Sequence, residues 1–154
     1  MRGKIFCSLV VVIALISFVA CGGKGGNTSS NKSYTFSVDT GDKVKLKLDT
    51  SDKYDITSNI PFEISCDGEV MSQGSFIKAE YYEDYVKVAK SDKKAQLIDS
   101  GEKNNNKYVF WSYNNEEFNY AILVGDSNTG ILLGNIISKE SAEKTFERLT
   151  ISLE

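Results

Sequence analysis

Apolar and polar residues alternate along most of this chain with the period of two that marks a strand buried on one face. Tyr34, Phe36 and Val38 alternate with Thr35 and Ser37. After a turn at Gly41-Asp42, Val44, Leu46 and Leu48 alternate with Lys43, Lys45 and Lys47, which predicts a strand with one wet face. Tyr54 to Thr57 and Pro61 to Cys66 give two further strand signals. Pro61, the sole proline, suits a strand start, where its missing N–H breaks no ladder. The period changes in "GSFIKAEYYEDYVKVAK". There Ile77, Tyr81, Tyr85 and Val88 fall at helical spacing, with Tyr82, Val86 and Ala89 on an adjoining stripe. Acidic Glu80, Glu83 and Asp84 near its start and Lys87 and Lys90 near its end complement a helix dipole. The spacing predicts a helix over 76–90, although β-branched Val86 and Val88 would also serve a strand.

From Ala95 the pattern is β again. "AQLIDSG" leads through the Asn-rich turn "KNNNK" into "YVFWSY", Asn114-Asn115 turns the chain into "EFNYAILVG", and "DSNTG" turns it into "ILLGNII". Asn, Asp and Gly tolerate the left-handed backbone that such turns need. Ser138 is then placed to cap a short helix with Glu140 in its first turn and Ala142, Phe146 and Leu149 on its buried stripe. "LTISL" gives a last strand. The predicted class is α+β: an antiparallel sheet flanked by helices, with a C-terminal helix followed by a final strand.

The N-terminus follows other rules. "MRGK" carries the positive charges Arg2 and Lys4, and Ile5 to Val19 is apolar apart from Cys7, Ser8 and Ser17. That layout is a secretory signal peptide, and the run falls short of the about 20 residues a spanning helix needs. The small residue Ala20 is followed directly by Cys21, Gly22 and Gly23. This stretch resembles the lipobox of bacterial lipoproteins, with Phe18 standing where that family usually has leucine. The resemblance implies that the Cys21 thiol takes a diacylglycerol, with palmitate-type acyl chains, and that the chain is cut before it. Two acyl chains suffice for stable anchoring, each buried methylene contributing about 0.8 kcal/mol. The expected organisation is a signal peptide over 1–20, a lipidated cysteine and flexible Gly/Ser/Asn tether over 21–33, and one domain over 34–154.

Charge and cysteine count sharpen this picture. The chain of 154 residues has a net charge of -3, which falls to -5 when Arg2 and Lys4 leave. A mildly acidic domain with no basic run is a poor partner for nucleic acid, and its balance argues that the acyl chains carry membrane attachment alone. With Cys7 removed and Cys21 acylated, only Cys66 remains, so no internal disulfide forms. The alternation of Phe62, Ile64 and Cys66 predicts a buried, inert thiol.

Candidate chemistry is sparse. The chain has no histidine, which excludes Ser-His-Asp and Cys-His nucleophile systems and His-containing zinc sites. No P-loop and no G-x-G-x-x-G occurs. Asp49, Asp52 and Asp55 are spaced three apart, unlike the alternate ligands of an EF-hand loop. Those residues, the Glu80, Glu83, Asp84 cluster and Glu116-Glu117 read as solvated surface, so no metal, cofactor or catalytic residue is expected. The aromatic hairpin is the exception. Pairing across a two- or four-residue turn would put Val109, Trp111, Tyr113, Phe118, Tyr120 and Ile122 on one face. Tyr108, Phe110, Ser112, Asn119, Ala121 and Leu123 would then occupy the other. Both faces are too apolar to lie in water, so each is core or binding surface. Trp111 is assigned to the core, and Tyr108 and Phe110 to the candidate binding surface.

The stretch "YVFWSY…FNYAILV…TGILLG" followed by "SKESAEKTFERLTISL" resembles Mog1/PsbP-like α+β domains, which implies an antiparallel sheet flanked by helices and no particular function. The expectation is a lipid-anchored, extracytoplasmic protein of the cell envelope. Its partners would be the membrane, through the anchor, and an unidentified protein or small molecule. A carboxylate-dependent hydrolase and an inhibitor or immunity-type lipoprotein are the alternatives.

Overall fold

The structure, a computed structural model, describes residues 13–15 and 30–154. The anchor expected at Cys21 lies outside the described residues, as does most of the signal peptide and the tether. The strands are β1 (Ile13–Leu15), β2 (Asn31–Ser37), β3 (Lys43–Asp49), β4 (Tyr54–Ile56), β5 (Phe62–Cys66) and β6 (Glu69–Lys78). After helix α1 (Tyr82–Ser91) come β7 (Ala95–Lys103), β8 (Asn106–Tyr113), β9 (Glu117–Leu123) and β10 (Thr129–Asn135). Helix α2 (Lys139–Arg148) and β11 (Leu149–Leu153) end the chain.

Two antiparallel sheets form rather than the single one expected. A large sheet has the order β4-β5-β6-β10-β9-β8-β7, and a small one the order β1-β2-β3-β11. The protein is therefore mostly antiparallel β-sheet with two helices, richer in strand than a balanced α+β fold. The small sheet and α2 cover one face of the large sheet. Phe36, Leu46 and Leu149 meet Phe62, Phe76, Ile122 and Phe146 there in the main core. Helix α1 covers the opposite face, where Tyr82 and Ala89 pack with Val109, Trp111 and Ala121. Both faces of the central strands are thus covered, which explains why "YVFWSY" has no polar side.

Three buried or half-buried polar contacts fix how the layers meet. Asp42, in the β2–β3 turn, accepts hydrogen bonds from Asn128 N (3.1 Å) and Thr129 Oγ1 (2.7 Å) at the β9–β10 connection. Asn106 donates to the Ile151 carbonyl of β11 (2.9 Å) and accepts from Gly125 N (3.0 Å). Arg148 at the end of α2 donates to Ser51 Oγ (2.8 Å) and to Asp52, and its guanidinium lies 4.3 Å from the Tyr54 ring centroid. Asp49 and Asp52 are therefore partners of Arg148, and Asp55 is paired with Lys32 at 2.7 Å.

The predicted elements need four corrections. Strand β2 begins at Asn31, inside the expected 21–33 tether, with Thr50 N donating to the Ser30 carbonyl (2.8 Å). The 76–90 segment is strand to Lys78, a 3-10 turn over Ala79–Tyr81 and α-helix from Tyr82, so Ile77 belongs to β6. Strand β6 begins upstream at Glu69, where no strand was expected. Cys66 is half-buried at the end of β5 rather than fully enclosed, its thiol donating to the Asp52 carbonyl at 3.6 Å. Elsewhere the local chemistry acts as read. Ser138 Oγ accepts from Ser141 N (3.1 Å), capping α2, and Arg148 stands in the last turn of that helix.

Candidate functional site

The site is built on the two hairpins β7–β8 and β8–β9. Asn104 and Asn105 turn β7 into β8 with φ of 51° and 67°, so that Lys103 pairs with Asn106 across a two-residue connection. The second hairpin differs from expectation. Tyr113 pairs with Glu117, which leaves three residues, Asn114, Asn115 and Glu116, in the turn. One residue more or less in a turn carries every side chain of the following strand to the other face. Phe110 therefore opposes Tyr120, and Trp111 opposes Asn119. Phe118, Tyr120 and Ile122 join Tyr108 and Phe110, whereas Val109, Trp111 and Ala121 lie under α1.

That register assembles a column of rings. Phe110 stacks on Tyr120 at 4.0 Å and 3° between planes, and Tyr120 stacks on Phe146 of α2 at 4.2 Å and 18°. Tyr108 leans against Phe146 with centroids 5.0 Å apart. Lys103 closes the column. Its ammonium lies 4.5 Å from the Phe146 centroid and donates to the carbonyls of Phe146, Glu147 (3.0 Å) and Leu149 (3.1 Å). The Phe146 carbonyl also accepts the Leu149 N–H that caps α2, so Lys103 adds a second donor there, and its charge meets the negative end of the helix dipole. Burial pulls the ammonium below its ordinary pKa, and Glu147 partly restores it.

Beside the column is an open groove of about 360 Å³, within the range of small-molecule sites. Tyr108, Phe110, Tyr120 and Phe146 form its floor and wall. Asp99, Glu102 and Lys103 from β7 and Glu143 and Glu147 from α2 stand round it, four carboxylates against one ammonium that is turned to the end of α2. The Tyr108 hydroxyl donates to Asp99 Oδ2 at 2.8 Å. A register shift between Leu97 and Asp99 marks a bulge in β7 just where Asp99 is presented to the groove. Burial raises the Tyr120 hydroxyl well above the ordinary tyrosine pKa of about 10, and the field of Glu143, Tyr108, Asp99 and Glu147 raises it further. Tyr120 is accordingly a neutral phenol, and the same carboxylate field favours any cation entering the groove.

Of the residues singled out in the sequence, Tyr108 and Phe110 both reach this groove, Tyr108 as a half-buried wall and Phe110 as its buried floor. The acidic clusters around Asp52, Glu80 and Glu116 do not. Sequence reasoning missed Tyr120 through the turn length. It missed Glu143 and Glu147 because their partners lie more than forty positions away, on β7. Their i,i+4 spacing around Phe146, which puts all three on neighbouring positions of one helix side, is the signal that could have found them. Among the described residues, no group of three or more acidic or cysteine side chains is placed to hold a metal ion. Compared with protein-family models, with curated proteins and with solved structures, the chain matches none.

Proposed function

We propose that this chain is a cell-envelope lipoprotein whose single domain is a non-catalytic binding module displayed at the membrane surface. Its ligand site is the groove between β7, β8 and α2. The observation that carries this reading is the groove itself, an aromatic floor under four carboxylates and a single lysine, Lys103, whose ammonium is engaged by carbonyls at the end of α2. Such a floor takes an apolar body, and the carboxylates select a positive head. The ligand class is therefore a small organic cation. The anchor reading is supported by the "FVACGG" stretch that ends the apolar N-terminal run. Among the described residues no helix is long and apolar enough to cross a membrane. Cutting before Cys21 would remove β1, which pairs with Thr35 to Ser37, and leave β2 as the edge of the small sheet.

A carboxylate-dependent hydrolase is the second reading, because the groove gathers the acids such an enzyme would need. Asp99 is already engaged by Tyr108. The inhibitor-type alternative calls for a projecting rigid loop, and the connections around the groove are two- and three-residue hairpin turns.

A nuclear magnetic resonance titration with phenethylammonium separates these possibilities. Amide shifts are expected at Tyr108, Phe110, Tyr120 and Glu143, with neutral 2-phenylethanol binding at least about tenfold more weakly, the difference expected when a cation loses a charged hydrogen-bonding partner. Glu143→Gln with Glu147→Gln should weaken the cation and leave the alcohol unchanged. Equal affinity for both probes, or shifts confined to other surfaces, would remove the groove from consideration.

A further inference from the structure

The outer face of the small sheet carries a charge pattern opposite to that of the whole domain. On β3, the odd-numbered positions Lys43, Lys45, Lys47 and Asp49 alternate with the buried Val44, Leu46 and Leu48, and Asp49 at the end of the row is paired with Arg148 at 3.6 Å. The pairing sets a hydroxyl on each side of the two inner lysines. Ser33 and Thr150 flank Lys47, and Thr35 and Ser152 flank Lys45. Ser37 pairs with Lys43. Glu154 pairs with Lys45 at 3.1 Å, and the lysines at 45 and 43 hold its carboxyl below the usual range. Lys47 has no carboxylate partner among the described residues. Asp99, Glu102, Glu143 and Glu147 are gathered instead around the groove. Charge is thus separated: the chain from Cys21 on, with a net charge of -5 after loss of Arg2 and Lys4, has one lysine-bearing, hydroxyl-lined sheet face.

We propose that this face is the surface by which the domain lies on an anionic lipid bilayer, its ammonium groups and hydroxyls meeting headgroup phosphates. The inference rests on the anchor at Cys21 and adds the orientation that the anchor alone does not impose. Two observations commit it to the membrane rather than to another partner. The first is the match between a row of lysines and a negatively charged surface, where each lysine adds attraction that fades within a Debye length. The second is position. About ten residues separate Cys21 from Asn31, a reach of at most about 35 Å, and β2 is itself part of this sheet. Tethering keeps the face at high effective concentration against the bilayer, so few charges suffice to bias its orientation. The acidic balance of the chain argues for attachment through the acyl chains alone; under this proposal the lysine face adds to them.

The test uses the acylated protein in vesicles of phosphatidylcholine, with or without one third phosphatidylglycerol. Lysine acetylation is read residue by residue by mass spectrometry. Lys43 and Lys47 should react at least about threefold more slowly on the anionic vesicles, and the difference should vanish in 0.5 M salt, where screening shortens to about 4 Å. The exposed Lys93 and Lys94 should react equally on both. Lys43→Glu with Lys47→Glu should abolish the protection of Lys45. A vesicle-bound, acylated protein whose Lys43 and Lys47 react equally on both compositions overturns this inference alone. A chain recovered without acyl groups and left in the supernatant of both vesicle types overturns the anchor and this inference together.

Discussion

Replacing Trp111 by alanine is expected to cost about 3–5 kcal/mol of folding stability, the range for deleting a large buried aromatic. Trp111 is 3% exposed, stacks on Tyr85 at 5.8 Å and packs beneath α1 with Val109 and Ala121. Helix α1 has only ten residues, too few to hold a helix in water without tertiary contacts, so the loss would undock it as well as leave a cavity. Against a total of about 5–15 kcal/mol, the variant should be close to unfolding at moderate temperature. Urea denaturation followed by circular dichroism measures the change. The native protein gives a second check, since Trp111 is the only tryptophan in the chain. Its emission should be blue and out of reach of iodide. A red, readily quenched emission, or a cost below about 1 kcal/mol, would place the ring at the surface.

Asn135→Ala is expected to cost about 2–4 kcal/mol without removing any apolar contact. The Asn135 amide donates to Ser72 Oγ (3.0 Å) and Ser141 Oγ (2.9 Å) and accepts from Ile137 N (2.9 Å) and Ser138 N (3.2 Å). It is buried, as are both serines, so the variant strands several polar groups at once, each at about 1–3 kcal/mol. The four bonds join β10, β6 and the start of α2, and the helix places Glu143, Phe146 and Glu147 at the groove. Ser72→Ala removes a single bond of the network and should cost about 1 kcal/mol. Equal effects of the two substitutions would mean that Asn135 does not organise the junction.

How legible these features were in the sequence depended on which residue types face inward. Strand β3 was plain because its inner positions are Val and Leu and its outer ones Lys. The cap at Ser138 was plain because capping is local chemistry. Strand β6 was hidden because its inward positions are Ser72, Gly74 and Phe76, of which only one is apolar. Structure supplies the reason for the other two. Ser72 is taken by Asn135, and Gly74 pairs with Phe62, whose ring fills the space a Cβ would need. Gly74→Ala therefore has no room, because the Phe62 ring is itself held by Phe36 and Phe76. The helix at 82–91 was legible, but its start was not, since β6 runs without a polar break through Phe76 and Ile77.

The candidate site was legible in half. Tyr108 and Phe110 stood out because two adjoining apolar faces on one strand cannot both be left in water. Their neighbours depended on a turn of three residues, and Asn114-Asn115 alone does not distinguish that from two or four. With the register known, Tyr120 falls beneath Phe146, and the groove's acids arrive from elements whose approach no local pattern encodes.

The claim that this domain works at a membrane rests on the thiol of Cys21, and the intact mass of the protein extracted from cell membranes tests it most directly. The expected species begins at Cys21 and carries a diacylglycerol thioether. Cys21→Ala should yield an uncleaved or soluble product without acyl mass. An extracted chain that begins at Met1 with an unmodified Cys21 would contradict the account.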